Sequence, residues 1–178
     1  MKSKTIAISA ISATFVALVL TLGSYVQVAD VFCIVISSVF VILPSYFKSY
    51  WGCFLTYLAG GLIAFMCFGF NIFTIVFPSY FLFFGIYPIV KCIMIDKGFN
   101  KYLGIVIGLI WFVAFAYGLY FYYTLVLGFG FLDLPLWLTE NIYYFVAVFA
   151  IVFFAVFEAF VVMTRLAINR YLGRIVKK

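Results

Sequence analysis

The sequence predicts an all-α integral membrane protein, a compact bundle of six transmembrane helices with both termini cytoplasmic, and three observations lead there. The chain of 178 residues is 69% hydrophobic and 9% charged, with a mean hydropathy of +1.31, which leaves too little polar surface to cover a water-soluble globule. Its uncharged runs cover 5–29, 31–47, 49–90, 102–132 and 141–157, and a hydrocarbon core of about 30 Å takes roughly 20 apolar residues per helix. The eleven basic residues all fall in segments that a six-span path puts on one side. Excess lysine and arginine in short loops marks the cytoplasmic face.

Lys2 and Lys4 precede the first run, which reads as a helix near 5–27. Its 25 uncharged residues exceed the roughly 7–15 of a cleavable signal core, so it is retained as a span. The second helix, near 29–47, ends before Lys48. The run 49–90 is long enough for two spans and divides at Gly69 to Asn71, giving helices near 51–69 and 72–95. Lys91, Lys97 and Lys101 bracket the next inner turn, ahead of a helix near 102–127. The sixth, near 141–168, leads into the basic stretch Arg165 to Lys178. A barrel is excluded because these runs are continuous rather than alternating. Pro44, Pro78 and Pro88 each remove a backbone donor inside a span, and the fourth helix, with two of them plus Gly85, is expected to be the least regular. The whole chain, 1–178, makes one transmembrane domain, and the piece Gly128 to Glu140 is the longest outside the helices.

The net charge of +6 sits at the inner edges and reads as contact with anionic membrane lipid, not nucleic acid. Cys33, Cys53, Cys67 and Cys92 lie in apolar runs without CxxC spacing, the pattern of free buried thiols. With no histidine, five dispersed acids and no HExxH or phosphate loop, the chain is expected to be neither an enzyme nor a metal or cofactor protein.

Small residues recur at Ser9, Ala13 and Ala17, where the absence of bulk lets a second helix approach; the reading leaves open an internal seam or a separate membrane protein. Lys91 and Glu158 are ionisable groups embedded in apolar spans, at depths of roughly 28 and roughly 25 Å from the outer starts of their helices. An intramembrane ion pair between them is one expectation; snorkelling of Lys91, with Glu158 facing Arg165 or a hydrated crevice, is the other. Charge reversal at both positions restores poorly expressing single mutants if the pair forms. At the outer ends, polar and aromatic groups gather: Tyr25, Gln27 and Asp30, then Asn71, then Asp133, Trp137, Glu140, Asn141 and Tyr144. Aromatic walls with a few polar groups suit a small-molecule site, although tyrosine and tryptophan also belong at membrane interfaces whatever the function.

The short basic start, the alanine-rich first helix around Ser9, Ala13 and Ala17, and six spans with both ends inside resemble the substrate-binding S components of energy-coupling factor (ECF) transporters, over essentially the whole chain. The resemblance implies a substrate-capture subunit of an ABC-type uptake system in the cell membrane, taking a vitamin or related small organic micronutrient. It implies that Ser9, Ala13 and Ala17 dock a transmembrane coupling protein, itself driven by cytosolic ATPases. It also implies a cavity near the outer face, for which Asp30, Asn71, Trp137, Asn141 and Tyr144 are candidates by location. Ser9 departs from a strict alanine repeat, and the missing histidine argues against a cobalt or nickel substrate. Two other classes share this size and layout: a non-catalytic envelope scaffold similar to the rod-shape, MreD-like proteins, and a small secondary carrier or channel. The Phe-rich layers at Phe81 to Phe84 and Phe153 to Phe157 favour a blind pocket over a pore.

Overall fold

A computed structural model describes residues 2–69, 74–126 and 141–176, and these are all-helical, with six helices long and apolar enough to cross a membrane. The chain divides into two compact units, one of Met1–Asn100 with Phe160–Lys178 and one of Lys101–Ala159. In the first unit α1 spans Lys2–Tyr25, α2 Asp30–Ile42 and α3 Tyr50–Cys67. The fourth span is built from a short α4, Val76–Ser79, a π-helical turn, Tyr80–Phe84, and α5, Ile86–Asp96. The second unit holds α6, Lys101–Phe121, a π-helical turn at Tyr122–Val126, and the first half of α7, Ile142–Val176.

Lipid offers no hydrogen bonds, and several hydroxyls in these spans are satisfied from within the protein. The hydroxyls of Thr21 and Ser24 donate to the carbonyls of Ala17 and Leu20, each four residues back, at 2.7 and 2.9 Å. Pro44 ends the regular part of α2, and Leu43–Phe47 continues as a 3-10 helix. Lys48 then turns the chain in a left-handed conformation, φ 53°, and Ser49 caps α3 by accepting the Gly52 N–H at 3.2 Å. The C-terminal end of α5 closes on Gly98, φ 67°, where Phe99 N–H reaches back to Met94 O at 2.9 Å; a side chain at that φ would be strained.

The fourth span is broken, as its prolines and glycine predict. Gly85 N–H bonds Tyr80 O, five residues back, at 2.8 Å, bypassing the Phe81 carbonyl. Tyr57 Oη of α3 donates to that Phe81 carbonyl at 3.0 Å, and Tyr80 Oη donates in return to Tyr57 O at 3.1 Å. Pro88 has no N–H to offer Phe84 O, and the hydroxyl of Ser38, on α2, donates to it at 2.9 Å. Each irregularity is thus closed by a side chain from a neighbouring helix. Ser38 is fully buried, so Ser38→Ala leaves a buried carbonyl short of its partner and should cost about 1–3 kcal/mol in detergent unfolding measurements. Ser38→Thr, which keeps the hydroxyl, should cost less.

The core of the first unit is Val16 and Leu20 of α1, Val41 and Ile42 of α2, and Phe77, Tyr80 and Phe83 of the fourth span. A close seam joins α1 to α3. A Cβ added at Gly60 would meet Val16 Cγ1 at 2.6 Å and the Ala13 carbonyl at 2.9 Å, and one at Gly52 would meet Ser9 Oγ at 2.7 Å. Thr56 Oγ1 also lies 3.2 Å from Ser9 O and donates to Gly52 O at 2.9 Å. Gly61, one residue on, turns to the fourth span, where its Cβ would meet the Tyr80 and Phe81 rings at 2.8 Å. In the second unit Phe112 of α6 stacks on Phe153 of α7, with ring centres 5.8 Å apart and planes 8° from parallel.

Candidate functional site

Asp30 is the first residue of α2, following a 3-10 turn at Gln27–Ala29. The position suits a carboxylate, since the helix N-terminus carries partial positive charge. The residue as a whole is only part-buried, yet its Oδ1 is buried and has no hydrogen-bond partner. Close packing holds the turn: a Cβ on Gly23 of α1 would meet Cys33 Cβ at 2.8 Å, and Asp30 O lies 3.8 Å from the same point. Tyr25 packs edge-on against Phe68, with ring centres 5.1 Å apart, at the same end of the first unit.

Asn141 and Tyr144 belong to the second unit. Asn141 O accepts the N–H groups of Tyr144 and Phe145 at 3.0 and 3.2 Å and so starts α7. Tyr144 is 74% exposed, and its neighbour Tyr143 is the one engaged, with its carbonyl accepting from Tyr117 Oη at 2.9 Å and its ring edge-on to Tyr120 at 5.7 Å. Tyr117 was not among the expected site residues; an aromatic-rich sequence does not distinguish a tyrosine whose hydroxyl bridges two helices from one that faces lipid. Asn71, Trp137 and the glycine-bearing segment 128–137 lie outside the described residues.

Ala13 and Ala17 are buried, and Ser9 is part-buried with its Oγ enclosed and without a hydrogen-bond partner. Gly52, Thr56 and Gly60 of α3 account for the close side of this face, so along this length the small-residue face of α1 serves as an internal seam, one of the two readings its spacing left open. The physical reason is that α3 carries its own glycines at eight-residue spacing, opposite the alanines. Lys91 lies in the first unit and Glu158 in the second, and both are buried, at 4% and 8% exposure.

A second cluster closes the end of the first unit where α5 stops. Arg165, 9% exposed, forms an ion pair through Nη2 with Asp96 Oδ1 and donates from Nη1 to Cys92 O at 2.8 Å. Tyr50 Oη donates to the other oxygen, Asp96 Oδ2. One carboxylate thereby ties α3, α5 and α7. Asp96 sits at a helix C-terminus, where the dipole disfavours a negative charge, and the guanidinium offsets this. With both oxygens engaged, the carboxylate is a structural tie and is poorly placed to shuttle protons. A sequence signal existed, because Asp96 is the single acid among the basic segments; which of the cations it takes is decided by packing alone.

No family model, curated protein or solved structure matches the chain.

Proposed function

We propose that this chain is the membrane-embedded capture subunit of an energy-coupling-factor-type uptake system for a small organic solute, with its termini in the cytoplasm. The observation that carries the reading is the buried, unpartnered Oδ1 of Asp30 at the end that the basic loops assign to the exterior. An unsatisfied buried acceptor costs about 1–3 kcal/mol, and a solute bearing an N–H or O–H donor relieves it on binding. Polar anchoring by Asp30 among aromatic side chains is the composition expected of a site that takes a vitamin-sized molecule. Because Ala13 and Ala17 are seated on α3, the coupling protein meets α1 on its lipid-facing flank, Ala7, Ile11, Thr14 and Leu18, all exposed. The cytosolic ATPases act through that coupling protein.

The test is to purify the chain from its membrane with whatever accompanies it and to identify bound small molecules and polypeptides by mass spectrometry. A bound organic solute that Asp30→Asn releases, with melting temperature in solute-free detergent unchanged or raised, supports capture. Recovery of peptidoglycan-synthesis or cytoskeletal proteins, with no solute, identifies the scaffold instead. An extracellular carboxyl-terminal tag would overturn the orientation.

A further inference from the structure

Beside the α1 and α3 seam, the first unit carries a groove of about 290 Å³, apolar along nearly all its lining, with Ala10, Leu55 and Ala59 along it and Trp51, Thr5 and Ser49 at the Lys4 and Lys48 end. Small residues on both flanks keep it open: Ala10 and Ala59 stand exposed where larger side chains would fill the space. It lies on helices long and apolar enough to cross a membrane. We propose that this groove is a binding site for one anionic phospholipid, with an acyl chain lying in it and the phosphate held at its basic end. This inference is independent of solute capture.

Charge complementarity identifies the occupant. Lys4 adjoins the lining residue Thr5 and Lys48 adjoins the lining residue Ser49; both lysines are exposed, and neither has a hydrogen-bond or ion-pair partner among the described residues. Ser49 Oγ accepts from Gly52 N–H, and its own hydroxyl proton has no acceptor among the described residues, so it is available to a phosphate oxygen. Trp51 is 71% exposed at the same end, the position of an interfacial aromatic anchor. The backbone of Lys48 adds an independent sign. Its left-handed φ of 53° is a conformation in which glycine is the default residue, yet a lysine occupies it. A turn selected only for geometry gains nothing from that side chain, whereas a phosphate site gains a cation.

The full chain in neutral detergent is titrated with dioleoylphosphatidylglycerol or dioleoylphosphatidylcholine, and retained lipid is counted by native mass spectrometry. At low salt, the expected preference for the anionic lipid is roughly fivefold per lysine, hence about thirtyfold for the pair. K4Q/K48G should bring the two lipids to equal retention, while the melting temperature without lipid stays the same or rises because glycine relaxes the turn. Ala59→Phe, which fills the groove from an exposed position, should reduce retention of both lipids. Equal retention of the two lipids by the unaltered chain would overturn the proposal. So would an anionic preference that survives K4Q/K48G, since the charge would then lie elsewhere, or a stable dimer or bound polypeptide that Ala59→Phe disperses while lipid retention is unchanged.

Discussion

Arg165→Met lowers unfolding stability by about 2–3 kcal/mol, the effect expected when a buried guanidinium that bonds a part-exposed carboxylate and a backbone carbonyl is removed. Methionine keeps most of the length and apolar contact of the arginine stem, so the loss reports the guanidinium. Two bonds disappear together, to Asp96 Oδ1 and to Cys92 O, and Asp96 is left at a helix C-terminus with only Tyr50. Equilibrium unfolding in detergent measures the change. Arg165→Lys should fall between, since an ammonium holds the charge but does not match the two-pronged geometry. The double variant R165M/D96N should recover part of the loss, because it removes the unpaired charge at the helix C-terminus but does not restore the bond to Cys92 O. A double variant as unstable as the single one would show that Arg165 acts through packing instead.

Gly60→Val has a comparable effect, about 3 kcal/mol, by prising α1 from α3. Its first added carbon falls on Val16 and on the Ala13 carbonyl at distances no side chain tolerates, and overpacking of this kind typically costs 1–3 kcal/mol. In lipid the seam has no hydrophobic drive to compensate, since close contact is what holds the helices together. Val16→Ala added to Gly60→Val should restore only part of the stability, because the clash with the Ala13 carbonyl is with backbone. Gly118→Ala is the control: nothing lies within 4 Å of its Cβ position, and in mid-helix alanine is favoured over glycine by about 1 kcal/mol. Melting temperatures of the two variants should therefore move in opposite directions.

The six spans were legible because length and charge placement in a membrane protein obey few constraints. The second and third spans were expected near 29–47 and 51–69, and the structure has Asp30–Phe47 and Tyr50–Cys67. The irregular fourth span was equally readable, since Pro88 removes a donor wherever the helix packs. The π-helical turn at Tyr122–Val126 was not, for no proline or glycine marks it. The same limit governs the side chains. That Ser9, Ala13 and Ala17 form a close-packing face follows from their spacing, but that Gly52 and Gly60 receive it depends on which helix lies alongside. Asp96 and Arg165 are separated by 69 positions, and in the sequence every other lysine and arginine is an equal candidate for that acid. Asp30 was found by location alone; its unpartnered oxygen is a property of the turn built by Gly23 and Cys33, which composition does not reveal.

The first unit is discontinuous in the chain: its core comes from residues 1–100, but Arg165, which neutralises Asp96, arrives from the far side of an intervening unit. During synthesis the ribosome must translate nearly seventy residues after Asp96 before the matching guanidinium exists. Nascent chains therefore pass through an interval in which α5 ends in an uncompensated carboxylate, and premature termination before residue 165 makes that interval permanent. A chain stopped just short of residue 165 then presents quality-control proteases with a defect nearly seventy residues upstream of the stop.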